Sequence, residues 1–384
     1  MNSKKKIYLD YNATTPVDNR VVDVMLPYFI EKFGNASSDH FYGWDAEEGV
    51  ELAREHISNL LSCKPTEITF TSGATEAANL ALFGFFKANS SKGKHIITCK
   101  TEHKAILDTM QSLETEGFKI TYLDVDTEGN IDLEELARSI TKETILVCMM
   151  LANNETGLIH PIKEIEKIVH EKGVKLMSDI TQAVGKIPVN LEELNLDLAI
   201  FSSHKIYGPK GIGALYFNKK NKIKILQTVF GGGQERGMRP GTLNVPAIVG
   251  FGKAAEIVAD EMEEESIRIS KLRDQLEVYL LEIEDVHINS KNADRLPNTT
   301  NISFKKSDGN QLLRKLNSLA VSRGSACNSN LINPSHVLKA MGLSDELALS
   351  SIRISLGRNT TLADLEFAAE EIKNTVHQLK KLVV

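Results

Sequence analysis

Cysteine is scarce in this chain. Its 384 residues include only four cysteines, which are widely scattered: Cys63, Cys99, Cys148 and Cys327. That number and scatter do not fit a disulfide framework. No Cys-x-x-Cys or His-Glu-x-x-His spacing occurs either, so the sequence predicts no metal site. Each cysteine therefore has to be interpreted singly.

Positive charge and long apolar runs are also missing. The 45 lysines and arginines are outnumbered by 51 acidic residues, which gives a formal net charge of −6 and no general attraction to nucleic acid or anionic membrane. The basic N-terminal segment turns polar before a signal-peptide core could form, and no apolar stretch is long enough to span a membrane. We expect a cytoplasmic protein that acts on small molecules and binds neither nucleic acid nor membrane.

What the sequence has instead is a regular succession of strand-like and helix-like segments. Short β-branched or continuously apolar runs, typical of strands covered on both faces, occur at residues 67–72, 95–99, 119–125, 144–150, 174–179 and 196–202. Between them, residues 46–61 place apolar side chains on one helical face, and Asp132 followed by Glu135 signals a helix to Ile140. The alternation predicts a mostly parallel, doubly wound α/β sheet.

The pattern changes after about residue 246. A long charged amphipathic stretch runs from 246 to about 283, short strands follow at 300–304 and 351–356, and a last helix covers 362 to about 382. This succession predicts a second, smaller α+β domain. A chain of 384 residues is long enough for more than one domain.

Polar side chains follow the predicted strands where ligands bind in open α/β sheets, outside the carboxyl ends. The turn at 72–76 is either a phosphate cradle at the start of a helix expected near Ala77 or a simple helix cap made by Ser72 or Thr75. Further strand ends carry an imidazole, side-chain amides and an acid: His103, Asn154, Asp179 and Gln182. A buried acid at a strand end needs a cationic partner, for which a cofactor nitrogen or a lysine would serve.

Lys205 is the most informative residue. It follows the apolar run 196–203, beside His204, and leads into a glycine-punctuated segment. On its own it is either a surface lysine that extends its ammonium to water or an amine whose lowered pKa suits Schiff-base chemistry. Pyridoxal 5′-phosphate requires phosphate donors, a group over the ring, a donor to the ring oxygen, an acid at the ring nitrogen and an amine. The order of these groups at successive strand ends favours such a site.

Three further segments carry chemistry. The loop 231–242 is rich in glycine but lacks dinucleotide and P-loop spacing, so it is either a phosphate or subunit contact or a mobile turn. Cys327 lies among small residues where a thiol is accessible, whereas Cys148 lies in an apolar run and is expected to be buried. Arg353, on a short strand, suits a bidentate carboxylate clamp, and a plain salt bridge is the alternative.

Several motifs together resemble those of one family, the NifS/IscS-type cysteine desulfurases. They are YLDYNATTP (8–16), FGNASS (33–38), FTSGATE (70–76), TEHKA (101–105), NNETG (153–157), HKIYGPKGIG (204–213), GGGQERG (231–237) and GSAC (324–327). Members of this class V aminotransferase-like family are fold-type I pyridoxal-phosphate enzymes. The resemblance implies a large α/β domain with a mostly parallel seven-stranded sheet flanked by helices, at 15–250. It also implies a small α+β domain, at 1–14 and 251–384, that carries the cysteine loop.

The resemblance also assigns roles to matching positions. Lys205 would attach the cofactor covalently, Asp179 would pair with the ring nitrogen and His103 would stack on the ring. Contacts to the ring-oxygen side are implied for Asn154 and Gln182. Contacts to the phosphate are implied for Ala74, Thr75, Ser202 and His204, joined by Thr242 from the other subunit of a homodimer.

For the substrate, Arg353 with help from Asn35 would bind the carboxylate of L-cysteine. Cys327 would attack the substrate sulfur as a thiolate and carry it as a persulfide, leaving alanine, to an acceptor protein in iron–sulfur cluster assembly or tRNA thiolation. Three positions depart from the family pattern: Ser203, Pro240 and Arg323. Ser203 is expected to tighten the approach to the phosphate and to add a donor there.

Two other functions remain open from the sequence. A transaminase or selenocysteine lyase of the same fold would not depend on Cys327. A non-catalytic scaffold would bind no pyridoxal phosphate.

Overall fold

The computed structural model describes residues 5–307, 309–323 and 333–380. Its strands are β1 (Ile7–Tyr8), β2 (Ile68–Thr71), β3 (His95–Cys99), β4 (Lys119–Leu123), β5 (Thr144–Cys148), β6 (Lys175–Asp179), β7 (Leu198–Ser202), β8 (Gly213–Phe217), β9 (Val286–Asn289), β10 (Thr299–Phe304), β11 (Leu319–Ala320) and β12 (Ser351–Ser355). Its helices are α1 (Asn19–Met25), α2 (Pro27–Ile30), α3 (Phe41–Leu60), α4 (Ala74–Asn89), α5 (Lys104–Thr115), α6 (Leu133–Ser139), α7 (Ile162–Glu171), α8 (Leu191–Leu194), α9 (Val245–Leu281), α10 (Gly309–Lys315), α11 (His336–Ala340), α12 (Asp345–Leu349) and α13 (Leu362–Lys380).

The main sheet has seven strands in the order β2-β8-β7-β6-β5-β3-β4. Strand β8 runs antiparallel to both of its neighbours, β2 and β7, and the pairs β3–β4, β3–β5, β5–β6 and β6–β7 are parallel. Helices flank this sheet, and the apolar residues of β2, β3, β5, β6 and β7 are buried on both faces, as continuous apolar runs predict. The predicted mostly parallel α/β sheet is confirmed.

Two local predictions differ from the structure. Helix α4 begins at Ala74, earlier than the expected start near Ala77, because Gly73 reverses the chain with φ of 156°, a conformation that favours glycine. Strand β8 does not appear among the six runs predicted from local pattern, since its first residue belongs to a glycine-punctuated segment. That glycine is required: a Cβ at Gly213 would lie 2.7 Å from the Cα of Gly73.

A second, smaller antiparallel sheet has the order β12-β10-β9. It packs with α13 and the C-terminal half of α9 around a separate hydrophobic core that includes Leu276, Ile302, Ile354 and Ile372. The N-terminal segment joins this core through Leu9, and β1 pairs in parallel with β11. The 37-residue helix α9 contributes to both cores, so it ties the two sheets together.

Within the described ranges, no helix combines the length and the apolar character needed to cross a membrane. Nor do the histidine, cysteine and acidic side chains of those ranges form a group that could hold a metal ion. Cys148 and Cys99 are buried, Cys63 is half-buried, and Cys327 lies outside the described residues.

Candidate active site

A cavity of about 560 Å³ lies at the carboxyl-end edge of the main sheet. The sequence-predicted residues that line it are Ala74, Thr75, His103, Asn154, Asp179, Gln182, Ser202, His204, Lys205 and Arg353. All of them except Arg353, which comes from the small sheet, come together because the parallel strands end at this edge. Further lining residues come from the N-terminal segment, Asn12 to Thr14, which crosses from the small sheet to the large one.

The turn after β2 forms one wall of the cavity. Helix α4 starts there with Gly73 as its N-cap, and no side-chain cap hydrogen bond forms within the described residues. The alternative of a simple cap by Ser72 or Thr75 is therefore wrong. The backbone N–H groups of a first helical turn have no intrahelical acceptor, and at the positive end of the helix dipole they form an anion site. The uncapped turn fits a phosphate group.

A rigid link holds this turn in place. The Glu76 carboxylate accepts a hydrogen bond from the Ser72 backbone N–H at 2.6 Å and another from Arg239 Nε at 2.8 Å. Arg239 belongs to the glycine-rich loop 231–242, so that loop is attached directly to the turn after β2.

Another wall is formed by His103, the N-cap of α5. Its Nδ1 accepts a hydrogen bond from the Ala105 backbone N–H at 3.1 Å, so the neutral ring carries its proton on Nε2. Burial lowers the pKa of His103; the negative charge of Asp179 opposes that shift, and the positive charge of Lys205 adds to it. A neutral imidazole at neutral pH can lie against an aromatic ring or transfer a proton.

Asp179 ends strand β6 and is 7% exposed. Its Oδ1 accepts a hydrogen bond from the Thr181 backbone N–H at 2.9 Å. Among the described residues, no lysine, arginine or histidine nitrogen lies within ion-pair distance of this carboxylate. A buried acid at the edge of a cavity needs a cationic partner, and a protonated pyridine nitrogen would provide one.

Lys205 closes the base of the cavity. A short 3-10 turn, Ser203–Lys205, follows β7, and the Lys205 amine donates to the backbone carbonyl oxygens of Asn12 at 2.6 Å and Ala13 at 2.7 Å. The alternative of a surface lysine that extends into water is therefore wrong. The amine is held inside the cavity by two neutral acceptors.

Two neighbours of Lys205 also have defined partners. His204 Nδ1 lies 3.1 Å from Thr14 Oγ1, and burial, with the nearby positive charge of Lys205, lowers the pKa of His204 to about 4. The Gln182 side-chain Nε2 donates to the Asn12 carbonyl oxygen at 3.0 Å. Both side chains are thus oriented by the N-terminal segment.

Arg353 comes from strand β12 of the small sheet and is 2% exposed. Its Nη1 donates to the Asn154 carbonyl oxygen at 2.9 Å and its Nη2 to Asp10 Oδ1 at 2.6 Å. Asn154, which follows β5 of the main sheet, and Asp10 of the N-terminal segment thus hold the guanidinium at the cavity.

Two predicted site residues within the described ranges do not line this cavity. Asn35 and Thr242 are exposed, and Asn35 Oδ1 accepts a hydrogen bond from the Ser37 backbone N–H. Cys327 lies outside the described residues.

The departures from the family pattern lie away from the cavity. Ser203 is fully buried and its hydroxyl faces Gly208, where a Cβ would lie 2.0 Å from Ser203 Oγ. The expectation that Ser203 adds a phosphate donor is therefore wrong. Pro240 is buried, and Arg323 donates to the Gly309 carbonyl oxygen at 2.7 Å.

Sequence reasoning missed the N-terminal contributors to the site. Asp10, Asn12 and Ala13 hold Arg353, Gln182 and Lys205, yet two of them act through backbone carbonyls, which any residue type provides. Residues 8–16 form one of the motifs that resemble the family, but no role was predicted for any residue of that motif.

The fold and the site define a class of protein, and comparison with known proteins agrees. The family model described as "Aminotransferase class-V" matches residues 7–367. The chain belongs to this family, whose members depend on pyridoxal phosphate, and the residues that line the cavity fit that cofactor.

Individual relatives narrow the activity. The chain is 51% identical over 382 residues to a cysteine desulfurase IscS of Histophilus somni (strain 129Pt), with 99% of this chain and 95% of the relative covered. It is 49% identical over 383 residues to a cysteine desulfurase IscS of Neisseria meningitidis serogroup C, strain FAM18, with 100% and 95% covered. A solved NifS-like protein matches with a TM-score of 0.92 at 39% identity, covering 97% of this chain and 100% of that one. The activity is pyridoxal-phosphate-dependent cysteine desulfuration.

Proposed function

We propose that this chain takes sulfur from L-cysteine onto Cys327 and passes it to an acceptor protein, as one subunit of a homodimer. The observation that carries the proposal is the placement of Lys205, Asp179, His103 and Arg353 around one cavity. In this proposal Lys205 attaches pyridoxal phosphate, Asp179 pairs with its ring nitrogen and His103 lies on its ring. When bound, the cofactor acts as an electron sink for the substrate carbon skeleton.

The remaining cofactor contacts follow from the cavity lining. The uncapped amides at Ala74 and Thr75, with Ser202 and His204, would bind the phosphate, and Asn154 and Gln182 would face the ring oxygen. His204 is suited to this as a neutral donor, because burial keeps its pKa near 4 and Thr14 fixes its ring. Its own positive charge is not needed, since the helix N-terminus favours the anion.

For the substrate, Arg353 would bind the carboxylate, and Asn35 would assist. Released from the cofactor, the Lys205 amine would remove the α-proton and later return a proton to the product. The Cys327 thiolate would attack the substrate sulfur: a sulfur–sulfur bond forms, the carbon–sulfur bond breaks, and its electron pair stays with carbon, which takes up a proton to give alanine.

The residues on either side of 324–332 support the role of Cys327. On one side, Ser322 exchanges backbone hydrogen bonds with Arg353. On the other, the Ser335 hydroxyl donates to Glu155 and His336 Nε2 lies 3.0 Å from the Glu102 carbonyl oxygen. Both flanks are thus attached to residues beside the cavity, which supports a role in the site for the segment between them.

A homodimer is supported by two features of the surface. Large apolar side chains are exposed over residues 26–44 and again at 226–230, with Ile30 74% and Phe230 80% exposed, and such surfaces mark interfaces. Thr242 is exposed and lies outside its own chain's cavity, where the implied role places it in the partner's site. Sedimentation equilibrium of the purified protein tests the dimer.

Two further parts of the proposal concern organisation. The large domain at 15–250 and the small domain at 1–14 and 251–384 are supported by the two hydrophobic cores, although residue 250 lies within the continuous helix α9. A cytoplasmic location is part of the proposal, and cell fractionation with detection of the tagged chain tests it.

The decisive experiment is mass spectrometry of the Cys327 peptide after incubation of the holoenzyme with L-cysteine. We expect one added sulfur atom on that peptide and an equivalent amount of alanine. Cys327→Ser is expected to keep the bound cofactor and to lose persulfide and alanine formation, whereas Cys63→Ser, a change away from the cavity, is expected to retain both. Undiminished alanine formation by Cys327→Ser would overturn the role of Cys327 and favour a lyase or transaminase.

A further inference from the structure

A second lysine lies behind the cavity. Lys186 follows strand β6 in the turn that also carries Gln182, and it is 8% exposed. Its amine donates to the Gln182 side-chain Oε1 at 2.6 Å and to the Gln182 backbone carbonyl oxygen at 3.0 Å. Among the described residues, no carboxylate lies within ion-pair distance of this amine. Both hydrogen bonds of this buried amine therefore go to one residue, Gln182, whose side chain lines the cavity.

The contact decides which way the Gln182 amide faces. A glutamine amide can present either its oxygen or its NH₂ group in a given direction. The Lys186 amine has N–H bonds to donate in either protonation state, and the Asn12 carbonyl oxygen on the other side can only accept, so Oε1 faces Lys186. The NH₂ group then faces the opposite way, where Nε2 donates to the Asn12 carbonyl oxygen at 3.0 Å.

Hydrogen bonds of the Asn12 backbone and side chain hold its carbonyl oxygen in place. Asn12 is 1% exposed, its backbone N–H donates to Ser355 Oγ at 2.9 Å, and its side chain bonds Thr299 and Asn298 of the small sheet. The same carbonyl oxygen accepts a hydrogen bond from the Lys205 amine at 2.6 Å. A hydrogen-bonded chain thus runs from Lys186 through Gln182 and Asn12 to Lys205.

We infer that Lys186 is a positioning residue for the cofactor site, which fixes the Gln182 amide so that its NH₂ group, not its oxygen, faces the cavity. This inference rests on the proposed contact between Gln182 and the ring oxygen of pyridoxal phosphate. An NH₂ group is what that contact requires, because the ring oxygen is a hydrogen-bond acceptor when ionised. Burial and the positive charges of Lys205 and Arg353 lower the pKa of Lys186 well below its ordinary value, which reduces the cost of burying this amine without a carboxylate partner.

The test compares Lys186→Met with the unaltered protein. Methionine fills similar space but donates no hydrogen bond, so Gln182 Oε1 loses its partner and the amide loses its fixed orientation. We expect the dissociation constant for pyridoxal 5′-phosphate, measured by fluorescence titration of the apoprotein, to rise about tenfold. The pH midpoint of the bound cofactor's visible absorption band should rise by about half a pH unit or more, because a donor to its ionised form is lost.

A double variant separates positioning from general damage. If Lys186 acts through Gln182, adding Lys186→Met to Gln182→Leu should change the cofactor dissociation constant and the absorption midpoint no further. Ser266→Ala is the matched control, because Ser266 Oγ donates to the Lys186 backbone carbonyl oxygen and leaves the amine alone; it should behave like the unaltered protein. If Lys186→Met does not fold, Lys186→Leu, which is shorter and also donates no hydrogen bond, carries the same comparison.

The outcomes distinguish the two claims. Additive effects in the double variant, or an unchanged dissociation constant and midpoint in Lys186→Met while Gln182→Leu weakens binding, would overturn the role of Lys186 alone. Unchanged cofactor binding in Gln182→Leu would overturn the assignment of Gln182 to the cofactor, and the inference with it.

Discussion

Arg353 and Asp10 form a partly buried ion pair across 343 positions of sequence, with 2.6 Å between Nη2 and Oδ1. The pair connects the small sheet to the N-terminal segment that also holds Lys205. The guanidinium is 2% exposed and donates in addition to the Asn154 carbonyl oxygen. It is therefore presented to the cavity in one orientation before any substrate arrives.

The first prediction concerns this guanidinium. Arg353→Lys replaces a planar fork with a single ammonium, which cannot serve Asp10, Asn154 and a substrate carboxylate together. We expect KM for L-cysteine to rise about tenfold or more, with a smaller change in kcat, in steady-state alanine assays. Arg358→Lys is the matched control, since Arg358 pairs with Asp18 and Glu265 instead. An unchanged KM in Arg353→Lys would contradict a carboxylate clamp.

The second prediction concerns covalent attachment of the cofactor. Borohydride reduction of the holoenzyme should fix pyridoxal phosphate on the peptide that contains Lys205, because its amine is held inside the cavity on two carbonyl oxygens. Peptide mass spectrometry identifies the site. Lys210→Met, which changes the other lysine that lines the cavity, should leave the label on Lys205. Label on any other lysine would show that Lys205 is not the attachment site.

The third prediction concerns the glycine-rich loop. Glu235, whose φ of 48° is strained for a non-glycine residue, accepts hydrogen bonds from buried Arg54 and from the Phe70 backbone N–H at 2.8 Å. Arg54→Met leaves this carboxylate buried without its cation, so the free energy of unfolding should fall by about 3–5 kcal/mol.

Urea denaturation measures that loss. Arg54 also pairs with Glu51, whose side chain is 50% exposed, and Glu51→Gln should therefore change the free energy of unfolding by less than about 0.5 kcal/mol. Equal effects of the two substitutions would show that the buried partner, Glu235, is not what stabilises Arg54.

The fourth prediction concerns acid stability. His160 is 2% exposed, neither ring nitrogen has a hydrogen-bond partner within the described part of the chain, and burial lowers its pKa to about 4. The unfolded chain binds a proton on this residue near pH 6.5, whereas the folded protein does so only near pH 4. Above about pH 6.5 this residue is neutral in both states and does not reduce the free energy of unfolding. As the pH falls from 6.5 to 4, only the unfolded chain takes up the proton, so the free energy of unfolding decreases.

His160→Leu should remove this dependence. Between neutral pH and pH 4, the free energy of unfolding should fall by about 3 kcal/mol less in the variant than in the unaltered protein. Urea denaturation at several pH values provides the comparison. Other histidines, such as His204, titrate in both proteins, so their contributions cancel. Parallel pH profiles for the two proteins would contradict the burial argument.

The sequence predicted six of the seven strands of the main sheet and missed an interior one. Continuous apolar runs mark buried parallel strands whatever their partners, and so β2 to β7 could be located from local pattern. Strand β8 could not, because Gly213 reads as a turn residue, and its place depends on the close approach of Gly73. The start of α4 differed for the same reason, since a glycine with positive φ opens the helix earlier than a capping side chain would.

Sequence alone determined the chemistry of the site. Lys205, Asp179 and His103 each follow a strand, and the carboxyl ends of parallel strands meet at one edge, so their proximity follows from the pattern itself. Only the tertiary structure decided how those groups are held. The carbonyl oxygens of Asn12 and Ala13 and the Asp10 carboxylate come from a segment that local periodicity does not relate to the site. Every residue type has a backbone carbonyl oxygen, so the sequence does not show which of these oxygens act as acceptors. Contacts between residues hundreds of positions apart form only when both hydrophobic cores are assembled.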